Sequence, residues 1–271
     1  MVVNKKTVFL TLAVALAPIS RAHELWVHTG HTHGGELLKA DLGYGHNFTP
    51  AAIPAERLHF FRAGMTLTGP EGTQPLVQRG PHNYSYQSAA PLKEGSYLVA
   101  ATYQPTFWSK NAAGDWAQHN LREMPGAVYC EQTQMFGKNV LNVGHDSAAR
   151  EVVARPLGHT LEIVPLDNPS AHRVGEAIPM QILFGGEPLV GATVTASFAG
   201  FDTSYKEVGH AAEAQAFSKL TDAEGKVDIL PLRQGFWKVK VVHKTAYPDV
   251  SECQNLAAYA TLTFELGAGA H

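Results

Sequence analysis

Four histidines fall within eleven residues of the run His23-Glu24-Leu25-Trp26-Val27-His28-Thr29-Gly30-His31-Thr32-His33. A fifth, His46, follows in Gly43-Tyr44-Gly45-His46. Imidazole nitrogen suits nickel, cobalt, copper and zinc, and short tracts this dense in histidine point to metal binding. The chemistry the segment offers is therefore reversible chelation of a divalent transition metal by His23, His31, His33 and His46, with His28 as a further ligand. His31 and His33 stand two apart, so they point the same way on an extended segment. Gly30, Gly34 and Gly35 leave that segment free to bend. On a strand starting at His23, residues His23, Leu25 and Val27 share one face, and Glu24, Trp26 and His28 share the other. His28 then joins His23 only through a bend. The competing reading is a solvated loop that happens to be rich in histidine.

The residues ahead of His23 sharpen the expectation. Lys5 and Lys6 precede an apolar stretch over 7–18, and Ser20-Arg21-Ala22 closes it. A basic start, a short apolar run and a small-x-small end read as a secretory signal cleaved after Ala22. The stretch is too short to span a bilayer, and no other segment approaches that length. Cleavage gives His23 a free α-amine, with an ordinary pKa of about 7.7–8.0, so a metal displaces its proton at neutral pH. Losing Lys5, Lys6 and Arg21 removes three of 21 cations against 24 acids and moves the formal charge from -3 to -6. The expected location is the periplasm. In an oxidising compartment Cys130 and Cys253, the two cysteines of the chain, read as one disulfide. A metal-binding thiolate pair is the alternative.

What must position these side chains is a β-rich scaffold. The chain is 45% hydrophobic and 17% charged. The apolar fraction excludes a disordered tail, and the lack of a basic excess argues against a nucleic-acid partner. Short apolar or β-branched runs bounded by Gly, Pro and Asn recur at 58–61, 95–103, 139–143, 161–165, 178–184, 193–198, 227–229, 235–243 and 259–266. An Ala-rich stretch over 206–217 predicts a short helix. The fold class is mainly β, with two packed β-sandwich domains over 23–155 and 156–271 after the signal at 1–22. The second reads as immunoglobulin-like or transthyretin-like. A Cys130–Cys253 bridge ties the two together.

The motifs Ala22-His23-Glu24-Leu25-Trp26-Val27, Tyr103-Gln104-Pro105-Thr106-Phe107-Trp108-Ser109-Lys110, Met135-Phe136-Gly137-Lys138-Asn139 and Leu161-Glu162-Ile163-Val164-Pro165-Leu166-Asp167-Asn168-Pro169 carry a resemblance. The chain resembles the bacterial periplasmic domain-of-unknown-function 4198 family, across nearly all of the sequence after Ala22. That resemblance implies a β-rich periplasmic protein related to the substrate-binding component of nickel and cobalt uptake transporters. The expected function is capture or buffering of nickel or cobalt, with a transporter or an outer-membrane receptor as partner. Two alternatives stand beside it: a copper enzyme built on an N-terminal histidine, and a non-catalytic interaction module.

The remaining candidates carry blander readings. His59 reads as a core histidine in an apolar strand. His82, His119 and His145 read as loop histidines, and His159, His172, His210, His243 and His271 as scattered ones. Asp222 and Glu224 beside Gly225 read as a hairpin turn before a calcium site. Tyr103, Phe107, Trp108 and Trp116 form either a core edge or a binding rim.

Overall fold

The computed structural model describes residues 23–46, 48–50, 53, 55–61, 63–81, 84–144, 150–201 and 215–267. The expected signal segment, His82, His145, His210, His271 and most of the expected helix over 206–217 lie outside them.

Strand β1 (Glu24–Thr29) pairs antiparallel with β2 (Lys39–His46), which is bordered by the short β3 (Thr49–Pro50). Ala55–Phe61 then forms a 3-10 turn where a strand was expected at 58–61. The reason is local. Successive side chains of a strand point to opposite faces, yet Phe60 and Phe61 are both buried and both meet the Tyr103 ring, at 4.8 and 5.5 Å. A tight turn lets both face one side. Next come β4 (Met65–Gly69), β5 (Gly72–Pro75), β6 (Val77–Gln78) and β7 (Ser85–Gln87). Two 17-residue strands, β8 (Gly95–Asn111) and β10 (Ala127–Val143), flank the short β9 (Trp116–Ala117). A single helical turn α1 (Arg150–Val153) leads into β11 (Leu161–Pro165), β12 (Ile178–Phe184), β13 (Glu187–Pro188) and β14 (Thr193–Phe198). The chain continues through β15 (Phe217–Leu220), β16 (Lys226–Ile229), β17 (Gly235–Ala246) and β18 (Asn255–Leu266).

The architecture is mainly β and sandwich-like, as expected. A central sheet runs β15-β14-β17-β18-β10-β8-β4-β5, with β9 added to β8. A sheet of β1-β2-β7-β6 with β3 covers one of its faces, and a sheet of β11-β12-β13 with β16 covers the other. The alternation of a strand explains how one sheet serves two cores. Tyr97, Val99, Ala101, Leu141 and Val143 enter the core under β1 and β2. Their neighbours Leu98 and Val140, directly paired across strands, enter the core under β11 and β12. Strands buried on both faces read as continuous apolar runs, which is why 95–103 stood out in sequence.

The central sheet takes strands from both sides of residue 155. Its seam is the parallel pairing of β10 with β18, from Glu131 opposite Asn255 to Val140 opposite Phe264. The expected disulfide is formed: Cys130 and Cys253 are buried, with Cα atoms 5.1 Å apart, just before that pairing begins. A buried ion pair adds a second tie, Lys138 of β10 to Glu162 of β11 at 2.8 Å. The Glu162 carboxylate also accepts backbone N–H bonds from Leu157, Gly158 and His159, so every charge in this clamp is compensated, as burial requires.

Candidate metal-binding segment

Strand β1 lies directly on the central sheet. The Thr261 hydroxyl donates to the Leu25 carbonyl at 2.6 Å, and the Thr263 hydroxyl donates to the Val27 carbonyl at 2.5 Å. At the far end the Thr29 hydroxyl donates to Asn139 Oδ1 at 2.8 Å. The close approach needs Gly137: a Cβ there would stand 3.3 Å from Trp26 Cα. The strand's two faces divide as its sequence predicts. Leu25 and Val27 enter the core with Tyr44, while Glu24, Trp26 and His28 face β17 and its surroundings.

Glu24 is buried there between two lysines. Its carboxylate pairs with Lys238 Nζ at 2.7 Å and with Lys240 Nζ. Burial alone would raise its pKa, but the two ammonium groups hold it below the usual carboxylate range. The Lys238 ammonium also sits 4.4 Å from the centre of the Trp26 ring and 4.9 Å from that of Phe48, a cation–aromatic arrangement. The Trp26 indole lies across its cross-strand partner Gly43; a Cβ on Gly43 would fall 2.0 Å from Trp26 Cε2. This ionic and aromatic lock was not found from sequence. Its one signal is the alternation of Lys238 and Lys240 with the apolar Trp237, Val239 and Val241 in β17.

The histidines divide into separate groups. His23 is half-buried, its ring 4.8 Å from Tyr44. Tyr44 in turn stacks parallel to Tyr103 at 6.3 Å and meets Phe61 edge-on at 5.6 Å. His46 follows Gly45, which pairs with Glu24, so its backbone lies beside the start of β1; its side chain lies outside the described residues. His28 is exposed on the opposite face, edge-on to Phe236 at 4.9 Å. His31 and His33 lie past the far end of β1, exposed, with ring centroids 4.5 Å apart and planes at 82°. The backbone N–H of His33 donates to Glu36 at 2.9 Å. The six residues of β1, at about 3.3 Å each, separate the two ends by roughly 20 Å. His31 and His33 are thus brought together, whereas His23 stands apart from them. Among the described residues no group of three or more His, Cys, Asp or Glu side chains is gathered closely enough to hold a metal ion. The thiolate-pair alternative falls, because both cysteines are in the disulfide.

The other histidines sit among ordinary partners. His59 packs on Phe60 at 4.0 Å, within the 3-10 turn and not a strand. His119 faces Glu123, and His172 faces Asp167. His243 meets Phe184 edge-on, and burial lowers its pKa. His159 stacks on Phe136 at 5.0 Å. Burial, followed by the Lys138 charge, pushes its pKa down to about 4. The Asp222 carboxylate accepts the backbone N–H groups of Glu224 and Lys226, closing the expected hairpin turn. The aromatic patch splits: Tyr103 is core and Trp108 packs against it, while Trp116 is exposed beside Tyr129, and Phe107 meets Tyr247.

The fold and segment define a layered β-sheet chain with one internal disulfide and a histidine-bearing strand on its central sheet. The chain belongs to the family described as Domain of unknown function (DUF4198), whose model matches residues 20–245. No curated protein matches it. Among solved structures it is similar to the D00-D0 domain of intimin, at 15% identity and a TM-score of 0.19, covering 89% of this chain and 98% of that one. It is also similar to Escherichia coli alpha-2-macroglobulin activated by porcine elastase, at 10% identity and a TM-score of 0.24, covering 89% of this chain and 23% of that one. A third similarity is to the three N-terminal domains of the bacteriophage RB49 Highly Immunogenic Outer Capsid protein, at 11% identity and a TM-score of 0.19, covering 90% and 59%. Likeness at this level carries no functional argument.

Proposed function

We propose that this chain is an exported transition-metal-binding protein of the periplasm, which captures or buffers nickel or cobalt for uptake by a transporter. The observation that carries the reading is the pair of exposed imidazoles, His31 and His33, with centroids 4.5 Å apart. Two such nitrogens form a bidentate start for a divalent ion, and water or a partner's ligands complete its shell. The start of β1 is a second place for chelation. After cleavage following Ala22, His23 offers amine and imidazole together, and the backbone of His46 follows Gly45, the cross-strand partner of Glu24. Imidazole and amine bind metal only when deprotonated, so capture weakens on acidification.

Calorimetric titration of the untagged chain beginning at His23, with nickel, cobalt, copper and zinc, tests the reading. Combined His31→Ala and His33→Ala substitution is expected to weaken one class of site by at least about tenfold, since loss of a mere outer-shell partner of a ligand already costs a metal site that much. One extra residue ahead of His23, or His23→Ala, is expected to weaken the other. Unchanged binding in all of these variants would refute the proposal.

A further inference from the structure

Where β16 hands over to β17, three aliphatic side chains are exposed on two adjoining loops: Leu230 at 40%, Leu232 at 54% and Val174 at 43%. Pro231, between the two leucines, is buried, so both leucines turn outward. The Gly175 N–H donates to the Pro231 carbonyl at 2.9 Å, which holds the Val174 loop against the leucine loop. The tip is firmly held from beneath, because Trp237 Nε1 donates to the Arg233 carbonyl at 2.9 Å. Two exposed arginines rim it. Arg173 precedes Val174, and the Arg233 guanidinium lies 5.1 Å from the centre of the Phe198 ring. Two acids are close by: the Glu176 carboxylate accepts the Arg173 N–H, and Asp228, two residues before Leu230 and exposed on the same side, is paired with Lys219.

A stable protein partner needs about 800 Å² from each side, far more than three side chains supply. A second copy docked about a two-fold axis would set four guanidinium groups against one another. A lipid surface asks for less: a few aliphatic groups that enter the headgroup boundary and cations that meet the anionic headgroups. Guanidinium matches phosphate geometry closely. We propose that the Val174–Leu230–Leu232 tip, with Arg173 and Arg233, docks the protein reversibly on an anionic phospholipid surface. The docking stands independently of metal binding.

Vesicle flotation tests it, using the chain beginning at His23 so that the apolar stretch over 7–18 cannot itself enter lipid. Binding is expected to phosphatidylcholine vesicles containing phosphatidylglycerol and not to phosphatidylcholine alone, and added salt should release it. The combined Leu230→Ser and Leu232→Ser variant should lose at least about tenfold in partitioning. The combined Arg173→Gln and Arg233→Gln variant should lose the preference for anionic lipid. Val250→Ser, a control at an exposed residue away from this tip, should behave as the parent does. All these sites are exposed, so the variants are expected to keep the parent's melting profile. Absence of flotation on the phosphatidylglycerol-containing vesicles, equal flotation by all variants, or self-association abolished by the leucine variant would each overturn the proposal.

Discussion

At the scale of single residues, the most informative groups are buried charges that the chain supplies with partners. Glu24 and Glu162 each meet lysine ammonium groups and are held below the ordinary carboxylate range by them. His159 stands beside the second pair as a neutral, stacked imidazole. Its ordinary pKa of 6.5 falls to about 4 in the folded chain. Between those values the unfolded chain binds a proton that the folded chain does not, so folding stability falls as pH drops through that window. The lowered Glu162 acts in the same direction at still lower pH. Denaturant unfolding at pH 7 and pH 5 should show this loss, a few kcal/mol at most, since each pKa unit is worth about 1.4 kcal/mol. His159→Phe keeps a ring against Phe136, and should flatten the dependence over that window. None of this was legible in the sequence, where His159 looked like one more scattered histidine. A pKa depends on what the fold packs around the ring.

At the scale of elements, β1 is defined by its two faces, and those were legible. The alternation from His23 to His28 correctly separated Leu25 and Val27 from Glu24, Trp26 and His28. What the alternation could not show was the glycine beneath the indole. Gly43→Ala would place a methyl inside the Trp26 ring, forcing the indole off Gly43 and away from the Lys238 ammonium. A loss of about 1–3 kcal/mol is expected, as for other overpacked sites, with a shift in tryptophan fluorescence. The long strands were only half legible. The apolar run over 95–103 predicts only the first part of β8, which continues to Asn111. Gln104-Pro105 breaks the strand pattern because proline cannot donate to a ladder. The structure places a register shift there, between the pairs Thr133–Thr106 and Met135–Tyr103, and a bulge of this kind accommodates the proline. The 3-10 turn at Ala55–Phe61 is illegible for a related reason: an apolar run of four residues fits a strand and a buried turn equally well.

At the scale of the whole molecule, the parallel β10–β18 seam joins strands from both sides of residue 155, and the disulfide closes its end. The bridge spans 123 residues of sequence. A loop of that size is worth about 4–5 kcal/mol in the chain-entropy model, and less where the unfolded chain retains structure. Combined Cys130→Ser and Cys253→Ser substitution should therefore lower the denaturant midpoint substantially, and reduction of the parent chain should reproduce the shift. An unchanged midpoint would mean that the β10–β18 pairing holds the seam without help. The pairing of the cysteines was legible by counting, since two cysteines allow one bridge. That they sit at the start of a parallel pairing was not, because parallel partners lie far apart in sequence.

The sequence by itself determined the mainly-β class, the one possible disulfide, the two faces of β1 and the density of histidine around it. These follow from local periodicity and composition, which any short window contains. Only the tertiary structure decided which histidines meet. An extended strand carries its ends apart by a fixed rise per residue. His23 and the His31–His33 pair, close in sequence, are therefore far apart in space, while Glu24 and Lys238, more than two hundred residues apart in sequence, touch.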